Sequence, residues 1–174
     1  FDQPIATGGR LAIGTGDDGT PRVIGVTRAH MEEDAGKSVH DRFPSVSAID
    51  LNRAGTPLVE IVSEPDMRTP AEAREYCTRL KEILEYTEVS DANMEEGSLR
   101  VDANVSIRRH GETALGTKTE IKNMNSFSGV ERAIAAEFEP VSYTHLRAHE
   151  TVLELVCRLL LEKKKSNNHR KHSQ

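Results

Sequence analysis

Apolar and polar residues alternate most regularly between Ser98 and Arg109. Alternation with a period of two is typical of a β-strand, in which successive side chains point to opposite faces. The segment is therefore predicted to be a strand with one apolar face and one polar face. The apolar set is Leu99, Val101, Ala103, Val105 and Ile107, and the polar set is Arg100, Asp102, Asn104, Ser106 and Arg108.

Several other segments have strand character. Residues 10–15 and 22–33 are predicted to form a hairpin, because the turn residues Gly-Asp-Asp-Gly lie between them at 16–19. Residues 45–52 and 57–63 are further strand candidates. Residues 116–122 alternate again, with Lys118, Glu120 and Lys122 on one face.

The pattern changes to helical spacing after residue 69. Thr69, Pro70 and Glu72 have the spacing of a capping box with proline at the first helical position. Apolar residues then recur at three and four positions, which predicts an amphipathic helix over 70–87 with Cys77 in the core. Residues 127–138 have the character of a helix start. Hairpin strands with two helices predict an α+β fold with a mainly antiparallel sheet.

Composition narrows the class of protein. A chain of 174 residues has the size of one domain, and it has no apolar run of about 18 residues that could cross a membrane. Two cysteines without metal-site spacing indicate free thiols in a reducing compartment. Residues 1–139 carry 16 Lys and Arg against 25 Asp and Glu, a formal charge of −9. This acidic body suits a metal-cation site better than unaided binding of a phosphate backbone.

Carboxylates on the predicted polar faces are the candidate chemistry. Asp102 and Glu120 each lie between basic or amide residues on a strand, Glu60 lies within an apolar strand, and Glu33 ends another. Mg²⁺ prefers oxygen ligands, and neighbouring Lys and Arg can neutralise phosphates. We therefore expect these four carboxylates to line one concave face, with at least two close enough to share an ion. A solvated sheet face with alternating charges remains the alternative, although a carboxylate with apolar neighbours, such as Glu60, is costly without a partner.

Five blocks of sequence occur in the order found in one family. They are FDQPI (1–5), TRAHMEEDAGK (27–37), DLNRAGTPLVEIVSEPD (50–66), MEEGSLRVDANVS (94–106) and GTKTEIKNMNSF (116–127). Over residues 1 to about 139 the chain resembles the B subunit of the aspartyl/glutamyl-tRNA amidotransferases, the GatB family. The resemblance implies part of a catalytic cradle domain similar to glutamine synthetase.

The resemblance also implies an activity. ATP, as a substrate, phosphorylates the carboxylate of misacylated Glu-tRNA(Gln) or Asp-tRNA(Asn), and channelled ammonia then forms the amide. The implied partners are the amidase A subunit, the small C subunit of the same complex, and the tRNA, in the cytoplasm. A strand carrying further metal-site residues is expected upstream of Phe1, so the isolated chain is expected to be inactive. A catalytically idle tRNA-binding or assembly module, or a paralogue restricted to Glu-tRNA(Gln), are the alternatives.

The family's functional positions map onto residues of this chain. The resemblance implies Mg²⁺ ligands, catalytic residues among those ligands, and residues that contact ATP phosphates or substrate. The ligands are Glu33, Glu60, Asp102 and Glu120; the catalytic residues are Glu33, Asp102 and Glu120; the contact residues are Lys37, Arg100, Lys118 and Lys122.

Residues 140–174 differ from the rest of the chain. They carry seven Lys and Arg against three Asp and Glu, and the string VSYTHLRAHET at 141–151 resembles translated sequencing adapter. We predict a tail that is foreign to the family. The alternative is a basic tail with a helix over 152–161 and lysines at 163–165 that contact RNA.

Overall fold

The fold was analysed in a computed structural model, which describes residues 3–16, 19–39, 47–109, 111–144 and 149–161. Eight strands and two helices occur in these ranges. They are β1 (Ala6–Thr15), β2 (Pro21–Glu33), β3 (Lys37–Val39), β4 (Ala48–Asp50), β5 (Pro57–Ser63), α1 (Pro70–Tyr86), β6 (Leu99–Arg109), β7 (Thr119–Met124), α2 (Phe127–Thr144) and β8 (His149–Leu160).

Six of the strands form one antiparallel sheet in the order β1-β2-β5-β8-β6-β7. β3 and β4 form a separate two-stranded sheet. The predicted α+β fold with a mainly antiparallel sheet is thus confirmed, as are the hairpin of β1 and β2 and the strands β5, β6 and β7. The candidate strand at 45–52 is observed only as β4, and its first two residues lie outside the described ranges.

β8 excludes the helix over 152–161 that belonged to the alternative interpretation of the tail. It lies between β5 and β6, with Cys157 opposite both Ile61 and Val101. The segment 152–161 is almost continuously apolar, with Glu154 and Arg158 as its polar members, and such a run cannot be distinguished from a helix by periodicity alone. Leu153, Leu155 and Leu159 are fully buried on the side of the helices.

α1 begins as its sequence predicts. Thr69 caps the helix, because its side chain accepts a hydrogen bond from the Glu72 amide at 3.1 Å. Glu72 accepts in return from the Thr69 amide at 3.3 Å, and it also pairs with Arg22 of β2 at 2.8 Å. The start of α1 is thereby fixed to the sheet.

Both helices pack on one face of the six-stranded sheet. The buried residues of α1 and α2 form one core with those of the strands. Cys77 is buried in it as predicted, and both cysteines are free thiols. The helical members of the core are Ala73, Tyr76, Cys77, Leu80, Leu84, Val130 and Ile134.

The helix-covered side of β6 gives a first prediction. Val101 is 1% exposed and belongs to this core, so Val101→Asp would bury a carboxylate among apolar groups. We expect it to lower the free energy of unfolding by about 3 kcal/mol or more in a chemical denaturation series. Val23→Asp is the matched control, because Val23 is a strand valine that is 36% exposed. Equal losses for the two variants would contradict the assignment of the faces of β6.

A second prediction concerns Tyr76 of α1. Its hydroxyl oxygen is buried and has no hydrogen-bond partner among the described residues. Burial, with the nearby thiols of Cys157 and Cys77, raises the pKa of Tyr76 above its usual range. Because an unpartnered buried hydroxyl is destabilising, Tyr76→Phe should raise the free energy of unfolding by about 1 kcal/mol, a rise in Tm of roughly 2–4 °C.

The control for Tyr76 is Tyr86→Phe. Tyr86 lies at the end of the same helix but is 91% exposed, so the loss of its hydroxyl should change stability by less than about 0.5 kcal/mol. If Tyr76→Phe were the destabilising member of the pair, the Tyr76 hydroxyl would have a partner after all.

Candidate functional site

The sheet face opposite the helices carries most of the predicted site. Residues paired directly across antiparallel strands lie on the same face, as do residues two apart along a strand. Glu60 of β5 is opposite His30 of β2 and Arg158 of β8, and Arg158 is opposite Arg100 of β6. We call this side of the sheet, with Arg28, Glu60, Asp102, Asn104 and Arg158, the polar face.

Arg158 joins two of the predicted carboxylates across three strands. One terminal guanidinium nitrogen donates to Oε2 of Glu60 at 2.8 Å, and the other donates to Oδ2 of Asp102. The side chains of Glu60 and Asp102 are only 9% and 14% exposed. Glu60 also accepts from Arg28 at 3.2 Å. The two carboxylates are therefore matched by two arginines.

The electrostatics of Arg158 follow from this position. Partial burial lowers the pKa of the Arg158 guanidinium, but the charges and hydrogen bonds of Glu60 and Asp102 outweigh it, so the pKa lies above its ordinary value. The two carboxylates thus favour the charged form of Arg158. Removal of either carboxylate would leave a partly desolvated ion unmatched.

A second carboxylate–arginine cluster lies beside the first. Oδ2 of Asp34 accepts from Arg53 at 3.1 Å and from Arg100 at 3.4 Å. Arg53 also donates to the carbonyl oxygen of Gly97 at 2.8 Å, which links the loop before β5 to the loop before β6. Arg100, predicted to contact phosphate, is thus paired with Asp34 while remaining 50% exposed.

Glu120 also lies on the polar face, but its side chain is exposed to solvent. It is opposite Asn104 on β6, and its Oε2 is 3.2 Å from Nζ of Lys122. Both side chains are about half exposed, at 48% and 55%. Lys118, just before β7, is also exposed. Glu120 and Lys122 thus form an accessible ion pair on the edge strand β7, and Lys118 is an exposed cation just before that strand.

The other predicted residues are elsewhere. Glu33 is opposite Pro57 at the end of β2, a register position that belongs to the helix-covered face, and it is exposed. Lys37 pairs with Asp50 in the small β3–β4 sheet rather than in the six-stranded sheet. The structure therefore brings Glu60, Asp102 and Glu120 to one face, and it places Glu33 and Lys37 outside that face.

Magnesium does not fit Glu60 and Asp102 as they are arranged. Within the described ranges, no group of three or more His, Cys, Asp and Glu comes together in a way that could hold a metal ion. Both carboxylates instead hold an arginine. The assignment of Glu33, Glu60, Asp102 and Glu120 as ligands stays a prediction.

Asn104 has an unused acceptor on the polar face. Its Nδ2 donates to Glu154 of β8 at 3.1 Å, while its buried Oδ1 has no partner among the described residues. A buried acceptor of this kind is destabilising unless a donor reaches it. Asn104 therefore joins the candidate site as a residue that can bind a donor group.

Sequence reasoning missed Arg158, which organises this face. Glu60 is conspicuous because a charge lies between apolar neighbours, and Arg158 has the same signal within Val156-Cys157-Arg158-Leu159-Leu160. Applied to both segments, the rule predicts that the charges of Glu60 and Arg158 neutralise each other. The adapter-like string upstream made this segment look foreign to the family and so obscured the match.

Comparison with known proteins identifies the family of this chain. The family model for the GatB/GatE catalytic domain matches residues 1–172. The chain belongs to this GatB/GatE family. None of the helices in the described part of this family member is long and apolar enough to span a membrane.

Curated relatives match most of this GatB/GatE chain. It is 60% identical over 141 residues to the aspartyl/glutamyl-tRNA(Asn/Gln) amidotransferase B subunit of Moorella thermoacetica, which covers 80% of the chain and 29% of that protein. The B subunit of Halorhodospira halophila is 56% identical over 139 residues, again 80% and 29%. That of Brevibacillus brevis is 55% identical over 146 residues, covering 84% and 30%.

The chain spans less than a third of the length of these relatives. The pairwise matches cover 139 to 146 residues, whereas the family match extends to residue 172. The origin of residues 140–174 as a tail foreign to the family stays a prediction.

Proposed function

We propose that this chain is part of a tRNA-dependent amidotransferase B subunit that converts Glu-tRNA(Gln) or Asp-tRNA(Asn) into the amidated form. Membership in the GatB/GatE family carries the proposal. The exposed charges of Glu120, Lys122 and Lys118 at the end of the polar face support it, because a site for two anionic substrates needs accessible cations.

The reaction follows from the chemistry of a carboxylate. A carboxylate anion repels a nucleophile and has no good leaving group, so an oxygen of the tRNA-bound side chain first attacks the γ-phosphorus of ATP. ADP leaves and an acyl phosphate forms. Ammonia then attacks the acyl carbon, phosphate departs, and a proton is lost to give the amide. No protein nucleophile is required.

The polar face provides positioning for this chemistry. We assign contacts with ATP phosphates or substrate to Lys118, Lys122 and Arg100, which are exposed cations on or just before the neighbouring strands β6 and β7. Glu120 orients Lys122 through the 3.2 Å pair. The phosphoryl group carries its charge on oxygens, and fixed cations stabilise that charge in the transition state.

Magnesium enters this proposal only as an expectation of the family. When bound, it would neutralise phosphate charge, but Glu60 and Asp102 hold arginines in this chain. No step is derived through the ion. The proposed partners are the amidase A subunit, the small C subunit of the same complex, and misacylated tRNA.

A catalytically idle tRNA-binding or assembly module is the competing function. The neutralised pair of Glu60 and Asp102 is the observation that favours it, because a bound arginine occupies their charges. The exposed Glu120–Lys122 pair favours the enzyme. A variant of Glu120 therefore separates the two functions.

The third prediction is that Glu120→Gln impairs phosphoryl transfer. The test uses a full-length relative of the family whose matched segment is replaced by residues 1–139 of this chain, assembled with its partners. Transfer of γ-³²P from ATP to misacylated tRNA should fall roughly 10²- to 10³-fold, because the amide keeps the size of the side chain but removes its charge. The glutaminase reaction of the partner should be unchanged.

The control is Glu85→Gln in the same chimera. Glu85 is also 48% exposed and also pairs with a lysine, Lys81, at 3.4 Å, but it lies on α1. Its loss should leave transfer within about twofold of the unsubstituted chimera. Titration with Mg²⁺ separates two roles of Glu120: excess ion should restore a lost ligand but should not restore the position of Lys122. Normal transfer by Glu120→Gln would favour the idle module.

A further inference from the structure

The pair of Glu60 and Asp102 has the arrangement of a cation site that is already filled by a side chain. Their strands β5 and β6 are not neighbours in the sheet, because β8 lies between them. Two carboxylates from separate strands nevertheless converge on a single group. That group is the guanidinium of Arg158.

Charge and geometry both exclude a metal cation between Glu60 and Asp102. Arg158 and Arg28 already match the charges of Glu60 and Asp102. Mg²⁺ requires oxygens at about 2.0–2.1 Å around one point. Each carboxylate instead bonds a different nitrogen of the guanidinium, so an ion could enter only if Arg158 moved away.

We propose that Arg158 takes the place of a divalent cation between Glu60 and Asp102, so that β8 closes this part of the polar face to metal. The inference rests on the proposed function only for its choice of a divalent cation as the excluded ligand. It assigns β8 a role that is separate from its place in the core. Removal of the guanidinium should turn a closed ion pair into a site with two carboxylates from β5 and β6.

The test compares Mn²⁺ binding by the 174-residue chain with Mn²⁺ binding by its Arg158→Met variant. The concentration of free Mn²⁺ is measured by electron paramagnetic resonance. Met keeps an apolar stem and removes the charge. The variant should gain one Mn²⁺ site whose affinity is at least about tenfold higher than that of any Mn²⁺ site in the unsubstituted chain. The reason is that Glu60 and Asp102 lose their cation. The double variant Glu60→Gln/Arg158→Met should lose that site.

Arg28→Met is the matched control. Arg28 is also an arginine bound to Glu60, but its side chain is 45% exposed and the structure pairs it with Glu60 at 3.2 Å without reaching Asp102. It leaves Arg158 in place, so no new Mn²⁺ site should form. A gain equal to that of Arg158→Met would show that net charge alone, and not the position of Arg158, decides binding.

Two further outcomes would overturn the inference. The first is tight Mn²⁺ binding by the unsubstituted chain that Glu60→Gln abolishes, because Arg158 would then not exclude metal. The second is an Arg158→Met variant that binds no Mn²⁺, or that stays unfolded with and without Mn²⁺, because a cation would then be unable to take the place of Arg158. Neither outcome changes the expected result for Glu120→Gln, so the proposed function is tested independently.

Discussion

The need to match two poorly exposed carboxylates with a cation is the constraint on which the centre of this sheet depends. Glu60 and Asp102 are 9% and 14% exposed on separate strands, and a carboxylate so poorly hydrated is strongly destabilising without a partner. Arg158 satisfies both from the strand between them. The same guanidinium therefore links β5, β8 and β6 at one level of the sheet, and it decides which ligands the polar face can accept. Stability and binding are coupled through one side chain.

Most of the fold could be predicted because local signals agreed with the tertiary structure. The capping box at Thr69, the turn between β1 and β2 and the alternation of β6 each have a local physical cause. β8 could not be predicted in this way. Its leucines favour a helix by propensity, and only the position between two strands makes an extended conformation the better one. Pairing with the neighbouring strands, and not the local sequence, therefore determines that this segment is a strand.

The candidate site was predictable to a smaller extent. Alternation placed Asp102 and Glu120 on a polar face, and the register confirms that they share it with Glu60. Alternation within a strand does not determine which strands are neighbours, however, so it could not reveal the arginines that reach Glu60. Glu33 shows the same limit, because its position at the end of β2 gives it the opposite face from Glu60. Ion pairs between segments that are distant in sequence can be predicted only when the order of the strands in the sheet is known.

The place of β8 in the sheet imposes few demands on its sequence. Without it, β1-β2-β5 and β6-β7 would be two separate sheets with open edges. A strand in this position needs apolar residues toward the helices, such as Leu155 and Leu159, and one cation at the level of Glu60. Residues 149–160 meet both demands, whether or not residues 140–174 have the origin that their adapter-like string predicts. Fit to the sheet and origin are thus separate questions. The properties of Arg158 depend only on the first, because a guanidinium between two carboxylates acts in the same way whatever sequence supplies it.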